Sequence, residues 1–128
     1  MRLLPLPTTP PPERAAALRK KWRIEPLERV ILNLARLTPW KGQEVLVEAM
    51  PELARINPTK WVVVLAGDDQ GRADYSAGLL KRAEGLGVAD RLRVVGHVAD
   101  VPGALAAATI AVQPNIEPEA FGRAAVEA

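Results

Sequence analysis

Four short apolar runs recur along the chain and are separated by stretches with helical spacing. The runs lie at residues 29–35, 61–66, 91–95 and 109–112. Apolar residues three or four positions apart predict helices at residues 43–56 and 73–86, after Asp100, and from about residue 121. Because the runs are largely continuous rather than alternating, they predict parallel strands that are covered on both faces. The sequence therefore predicts an α/β fold, a Rossmann-like doubly wound parallel sheet of about four strands.

The first 24 residues differ in composition from the rest of the chain. Five prolines lie between Leu4 and Pro12 and favour an extended linker. The stretch from Glu13 to Arg23 predicts a short helix, and residues 1–24 carry six basic side chains against one acidic side chain. We therefore interpret residues 1–24 as a Pro-rich interdomain linker with a short basic helix, and residues 25–128 as the Rossmann-like domain.

The basic segment forms an arm on a mildly acidic body, although the formal net charge of the whole chain is only +2. Such an arm could approach phosphates or an anionic membrane surface, and a solvated helix face would explain the same residues. Aromatic residues make up 4% of the chain, too few for base-stacking platforms. We therefore expect no nucleic-acid partner.

Composition excludes several classes of site and of protein. The chain has no Cys and one His, which excludes disulfides, thiolate zinc sites, cysteine nucleophiles and multi-histidine metal centres. No apolar run approaches the roughly 20 residues of a membrane-spanning helix, and Pro5 interrupts any signal-peptide core. We expect a cytoplasmic protein.

Ligands of open parallel sheets bind outside the carboxyl ends of the strands, so the loops that follow the strands are the candidate site. The first loop carries Arg36 and Lys41, and Gly42 opens the next helix. Two cations beside a helix N-terminus suit a diphosphate. Two solvated charges are the alternative interpretation. Pro51, further along that helix, is expected to kink or restart it.

The second and third loops give weaker signals. Residues 67–72 contain glycines that permit close backbone approach, but they match neither a phosphate loop nor a dinucleotide fingerprint. Asp68 and Asp69 could hold a hard cation or cap the next helix. His97 follows the third strand, where it could pack against a base or sugar or form hydrogen bonds within its loop.

The fourth loop contains two carboxylates, Glu119 and Glu127, which are eight positions apart. With Gly122 at the start of a helix, they would bracket a ligand laid across the helix N-terminus. Carboxylates bind sugar hydroxyls and free N–H groups bind phosphates, which suits a nucleotide sugar. The helix stops at Ala128 without a C-terminal signal, so we expect the chain to be a fragment of a longer protein.

Taken in order and spacing, these segments resemble a known family. The resemblance covers residues 30–128 and rests on Arg36–Gly42, Gly67, Gly96–His97 and Glu119–Glu127. Together they resemble the carboxyl-terminal, donor-binding domain of the group 1 retaining glycosyltransferases, which have two facing Rossmann-like domains. The resemblance implies that the chain is a truncated half of such a glycosyltransferase, incomplete at its C-terminus.

The resemblance also implies roles for individual residues. Arg36 and Lys41 would hold the donor diphosphate and stabilise it as a leaving group, Glu119 would contact the donor sugar, and Glu127 would bind the ribose. The other implied donor-binding residues are Gly67, His97, Val98, Phe121, Gly122 and Arg123. Ala120 and Ala35 stand where the family usually has glycine; either methyl group would narrow the space for sugar or phosphate, and neither change removes a charged group.

The implied reaction transfers a sugar from a nucleotide diphosphate donor to an acceptor hydroxyl, with retention and without a metal or other cofactor. The acceptor, which is a sugar, a lipid-linked sugar or a lipopolysaccharide-like molecule, would bind to the other domain. A lipid-linked acceptor would bring the protein to the inner face of the membrane. We also expect self-association through the open sheet edge. The alternatives are a non-catalytic α/β fragment or interaction module, and a nucleotide-sugar epimerase on the same plan.

Overall fold

The computed structural model describes residues 2–4, 12–38 and 41–113. These residues form five strands, four α-helices and a short 3₁₀ helix at Ala89–Arg91. The strands are β1 (Arg2–Leu4), β2 (Arg29–Leu34), β3 (Trp61–Ala66), β4 (Leu92–Gly96) and β5 (Ile110–Gln113). The helices are α1 (Pro12–Lys21), α2 (Gln43–Ile56), α3 (Ala73–Gly85) and α4 (Val101–Ala107).

The strands form one sheet in the order β1-β5-β2-β3-β4. The four strands from β2 to β5 are parallel to one another, with Val30 opposite Val62 and Ile31 opposite Ile110. The chain runs outward from β2 to β4 and then returns to place β5 on the other side of β2. This doubly wound parallel arrangement confirms the predicted fold class and its four parallel strands.

The fifth strand, β1, was not predicted and lies antiparallel to β5, with Leu3 opposite Val112. It has only three residues, too few for a periodic signal, and its pairing partner is more than 100 positions away in the sequence. Leu4 therefore belongs to a strand rather than to the predicted linker. Within the described residues β1 and β4 are the outer strands of the sheet, and self-association through a sheet edge stays a prediction.

The two faces of β3 pack against different helices. Val63 and Leu65 lie in one apolar cluster with side chains from α2 and α3. Val62 and Val64 lie in a second cluster with Trp22 and with alanines of α4. Every residue of β3 is buried, as expected for a strand of a parallel sheet that is covered on both faces.

Helix α2 runs from Gln43 to Ile56 without a break at Pro51, so the predicted restart does not occur. Proline removes one backbone donor from the helix. The helix continues because Leu46, Val47 and Met50 are buried in the apolar cluster that α2 shares with α3, and such packing supplies most of the stability of helices in proteins.

Helix α1 confirms the short helix predicted near residues 13–23, and it packs against α4. The Arg14 Nε atom donates to Asp100 Oδ2 at 2.8 Å. Hydrogen bonding from Arg14 holds the pKa of Asp100 below its usual value. Asp100 also accepts from the Gly103 N–H at 3.1 Å, which confirms it as the N-cap of α4.

Trp22, which follows α1, is 3% exposed and belongs to the apolar cluster on the α4 side of the sheet. The side chain of Arg19 donates to the backbone carbonyls of Glu25 and Glu28, at 2.8 and 2.7 Å. The part of this segment at residues 15–24 is therefore packed against the sheet and contributes to its core. The division of the chain at residue 24 stays a prediction about the arrangement of domains.

Replacing Trp22 with alanine tests this packing. We expect Trp22→Ala to lower the free energy of unfolding by about 3–5 kcal/mol, because it removes a large buried side chain and leaves a cavity. Urea denaturation followed by circular dichroism measures the difference. The control is Leu27→Ala, since Leu27 is 89% exposed and its loss should change stability by no more than about 0.5 kcal/mol. Equal effects of the two substitutions would show that Trp22 is not part of the core.

Candidate functional site

Three of the four loops predicted to form the site meet at the carboxyl ends of the parallel strands. The N–H of Leu37, in the loop after β2, donates to the carbonyl of Asp68, in the loop after β3, at 2.9 Å. The N–H of Gly67 donates to the carbonyl of Gly96, at the end of β4, at 2.8 Å. Backbone hydrogen bonds therefore tie the three loops into one surface.

Gly67 occupies the most crowded backbone position at this edge. A Cβ atom added there would lie 1.8 Å from the carbonyl oxygen of Ala35 and 2.6 Å from its carbonyl carbon. Only glycine fits, because any side chain would force the loop after β3 away from the end of β2. The requirement for glycine at this position is thus a packing constraint between the two loops.

The N-terminus of α2 lies at the end of the loop that follows β2. Gly42 is its N-cap, with φ of 80°, a left-handed conformation that glycine adopts easily, and it offers no capping side chain of its own. Lys41 precedes the cap, and its N–H donates to the carbonyl of Thr38 at 3.0 Å. Arg36, where the loop begins, has an exposed side chain. The loop therefore brings two cations to the positive end of a helix dipole.

His97 and Val98 directly follow β4 and so lie on the same edge of the sheet. The side chain of His97 is exposed, and that of Val98 is partly buried and packs against the apolar cluster on the α4 side. The structure thus places Arg36, Lys41, Gly67, His97 and Val98 on neighbouring loops, as the sequence predicted.

Asp68 and Asp69 stabilise their own turn. Asp68 Oδ1 accepts from the N–H of Gln70, and Asp69 Oδ1 accepts from the N–H of Gly71, both at 3.0 Å. The N-cap of α3 is Arg72, and no side chain caps that helix. The prediction that either aspartate is the N-cap of α3 is wrong, because both carboxylates accept from backbone N–H groups of the preceding turn; Asp69 Oδ2 also accepts from Ser76 Oγ, inside the helix, at 3.4 Å. In the ranges 12–38 and 41–113, no three His, Cys, Asp or Glu side chains group as metal ligands.

A buried polar cluster, which we call the Gln43 cluster, lies beneath the loop after β2 and consists of Asn33, Gln43 and Tyr75. Asn33 and Gln43 are both 0% exposed. Gln43 Nε2 donates to Asn33 Oδ1 at 3.3 Å and to the carbonyl of Arg36 at 3.0 Å. The Tyr75 hydroxyl donates to Gln43 Oε1 at 3.2 Å. The first residue of α2 is thus bonded to β2, to α3 and to the loop at residues 36–42, which we call the cationic loop.

Sequence reasoning missed this cluster. Its available signals were a polar residue, Asn33, inside an otherwise apolar run, and a glutamine directly after Gly42. Neither signal identifies its partner, because Tyr75 is 32 positions from Gln43.

Burial raises the pKa of Tyr75 to about 12, and the negative charge of Glu44 adds to this effect. A hydrogen bond from the Glu44 backbone acts in the opposite direction. The neutral hydroxyl is therefore retained as the donor to Gln43 throughout the neutral pH range.

Five predicted site residues lie outside the described residues, and their roles stay predictions: Glu119, Phe121, Gly122, Arg123 and Glu127. The helix predicted from about residue 121 lies there as well. In the part of the chain that the structure describes, no helix is both long and apolar enough to span a membrane.

Comparison with known proteins identifies the family. A family model described as glycosyl transferases group 1 matches residues 15–128. The chain is 34% identical over 121 residues to the D-inositol 3-phosphate glycosyltransferase of Segniliparus rotundus, covering 91% of this chain and 26% of that protein. It is 35% identical over 107 residues to the GDP-mannose-dependent alpha-(1-6)-phosphatidylinositol monomannoside mannosyltransferase of Mycobacterium tuberculosis. That match covers 82% of this chain and 26% of the mycobacterial protein.

Solved structures agree with these relatives. A glycosyltransferase from Rickettsia africae superimposes with a TM-score of 0.79 at 26% identity, and Anabaena HepE in complex with UDP and glucose superimposes with a TM-score of 0.74 at 31% identity. Each match covers 91% of this chain and 30% of the other. The chain thus spans about a quarter of the length of the curated relatives and under a third of these structures.

Replacing Gly67 with alanine tests the contact between the loops. We expect Gly67→Ala to lower the free energy of unfolding by about 1–3 kcal/mol, because the methyl group overlaps the Ala35 carbonyl and backbone must move. The matched control is Gly78→Ala inside α3, where an added Cβ meets nothing within 4 Å. The control should gain roughly 0.5–1 kcal/mol, the helix preference of alanine over glycine. Denaturant melts measure both variants. If Gly67→Ala raised the free energy of unfolding as much as Gly78→Ala, the close approach of the two loops at Gly67 would be wrong.

The raised pKa of Tyr75 predicts a pH dependence of stability. The folded state holds the phenol proton up to about pH 12, whereas the unfolded chain releases it near pH 10. The contribution of Tyr75 is therefore complete below pH 10 and declines as the pH rises from 10 to 12. We expect the stability difference between wild type and Tyr75→Phe to be constant from pH 7 to 9 and to shrink above pH 10, as measured by urea melts. A difference that stays constant to pH 12 would show that the hydroxyl is not held as described.

Proposed function

Because the chain belongs to the group 1 glycosyl transferases, we propose that it forms the donor-binding part of a retaining glycosyltransferase. In this proposal the whole protein moves a sugar from a nucleotide diphosphate donor to an acceptor hydroxyl. The observation that carries the proposal is the loop after β2, which carries Arg36 and Lys41 and leads into the N-terminus of α2 at Gly42. A helix N-terminus with two cations in the loop before it suits a diphosphate.

The same groups supply the chemistry of the leaving group. As the bond between sugar and diphosphate breaks, negative charge grows on the diphosphate, and groups fixed around it stabilise that charge without having to reorganise. The dipole of α2 and the charges of Arg36 and Lys41 would act in this way. We propose that these groups meet the charge in place of a resident metal ion.

The remaining donor contacts of the proposal are those that the resemblance to the family implies. Gly67 would let the diphosphate approach the backbone, and His97 and Val98, at the end of β4, would flank the nucleoside. Glu119 would contact the sugar and Glu127 the ribose, with the backbone of Phe121, Gly122 and Arg123 beside the sugar and phosphates. Anabaena HepE was solved with UDP and glucose, and the mycobacterial relative is named as GDP-mannose-dependent. These names support UDP- or GDP-linked sugars as donors.

We place the acceptor, a sugar or lipid-linked sugar, on a part of the protein other than this chain. The mycobacterial relative is named for a phosphatidylinositol monomannoside. A lipid-linked acceptor of that kind would bring a cytoplasmic protein to the inner face of the membrane.

Nucleotide binding tests the proposal directly. We expect UDP, GDP or ADP at millimolar concentration to raise the melting temperature of the chain. Lys41→Ala should raise the dissociation constant about 10- to 100-fold, because a hydrogen bond to a charged group contributes about 1.5–3 kcal/mol. Isothermal titration calorimetry measures the constants, and circular dichroism confirms that the variant is folded.

The matched control is Lys20→Ala. It removes an exposed lysine near the end of α1, in the segment of the chain that precedes β2. Its dissociation constant should equal that of wild type. The proposal fails if wild type binds none of the three nucleotides at millimolar concentration, or if Lys20→Ala weakens binding as much as Lys41→Ala.

A further inference from the structure

We infer that Gln43 and Asn33 are positioning residues, which fix the cationic loop after β2 relative to the end of β5. The loop geometry stands on observed contacts alone, while its consequence for nucleotide binding rests on the proposed function. Neither residue would touch the donor. They would act through the Arg36 carbonyl, which lies at the start of the loop.

The side-chain amide of Gln43 has partners on both of its polar atoms. Its nitrogen donates to Asn33 Oδ1 and to the Arg36 carbonyl, and its oxygen accepts from the Tyr75 hydroxyl. Reversing the amide would place its oxygen against two acceptors, so the contacts define a single orientation. A buried amide without partners is costly, and the loop is therefore held where Gln43 can reach it.

Asn33 extends the connection across the sheet. It lies inside β2, and its Nδ2 donates to the carbonyl of Val112 in β5 at 3.0 Å. Val112 is one residue from the end of β5. The chain that leaves β5 is the segment in which Glu119 and Glu127 were predicted to bind the sugar and ribose. The connection through Asn33 and Gln43 thus sets the start of the cationic loop relative to the end of β5.

Thr38, a buried polar residue of the loop, does not connect the loop to β2 or to α3 through its side chain. Thr38 is 0% exposed, and its hydroxyl has no hydrogen-bond partner among the residues that the structure describes. The Arg36 carbonyl accepts both the Thr38 N–H at 3.0 Å and Gln43 Nε2 at 3.0 Å. Gln43 therefore joins this tight turn to the body of the domain by side-chain hydrogen bonds, beside the apolar contact of the buried Leu37 side chain.

The test measures local exchange and nucleotide affinity in the same variants. Gln43→Met keeps the approximate volume and removes both donated hydrogen bonds. Without nucleotide, we expect the amides of Leu37 and Lys41 to exchange at least about tenfold faster by NMR, while amides of β3 keep their wild-type rates. The dissociation constant for UDP or GDP should rise at least about tenfold.

The matched control is Val47→Ala, since Val47 is buried in α2 but makes no polar contact with the loop. It should lower overall stability and leave the nucleotide dissociation constant unchanged. A merely structural role for Gln43 predicts that both variants change affinity alike. If Gln43→Met does not fold, Asn33→Ser interrupts the same connection and should give the same two effects.

The outcomes separate this inference from the proposed function. Unchanged exchange of the Leu37 and Lys41 amides in a folded variant overturns the inference, and so does faster exchange with unchanged nucleotide affinity. If those amides exchange faster but wild type binds no nucleotide, the proposed function fails, while the positioning of the loop by Gln43 is supported.

Discussion

The burial of β3 on both faces is the constraint on which the rest of the structure depends. Its six residues, from Trp61 to Ala66, are all buried, so helices must cover the sheet on either side. Parallel strands joined by such helices all end at the same edge. The loops after β2, β3 and β4 are therefore brought together by the packing of the strands, before any functional side chain is considered.

Once the loops share an edge, backbone contacts fix how closely they approach. The carbonyl of Ala35 lies where a side chain at position 67 would be, and the N–H of Gly67 reaches Gly96 on the far side. A loop held in this way presents its N–H groups and cations in a fixed arrangement. Such preorganisation is what the proposed stabilisation of a departing diphosphate requires.

The elements with local signals were predictable from the sequence, and those that depend on distant partners were not. The periodicity of residues 43–56 and the apolar run at 61–66 each match the observed element. Strand β1 has three residues and depends on β5 for its pairing. The Gln43 cluster could not be predicted from the sequence for a similar reason. Asn33 is a polar residue within an apolar strand, and its partner, the carbonyl of Val112, is 79 positions away. The loop cations were found because their spacing to Gly42 is itself local.

The alignment of α2 with α3 shows why buried polar contacts matter more here than surface charges. Glu48 and Arg82 join the two helices, with Arg82 Nη2 3.0 Å from Glu48 Oε2, and this hydrogen bonding lowers the pKa of Glu48. Both side chains are about half exposed, and ion pairs in water contribute little to stability. The contact between Tyr75 and Gln43 joins the same helices, and because Gln43 is 0% exposed, its side chain would lose that partner without gaining a solvent one. Gln43 bonds both the Tyr75 hydroxyl of α3 and the Arg36 carbonyl, so these contacts tie the cationic loop to the packing of α3 against α2.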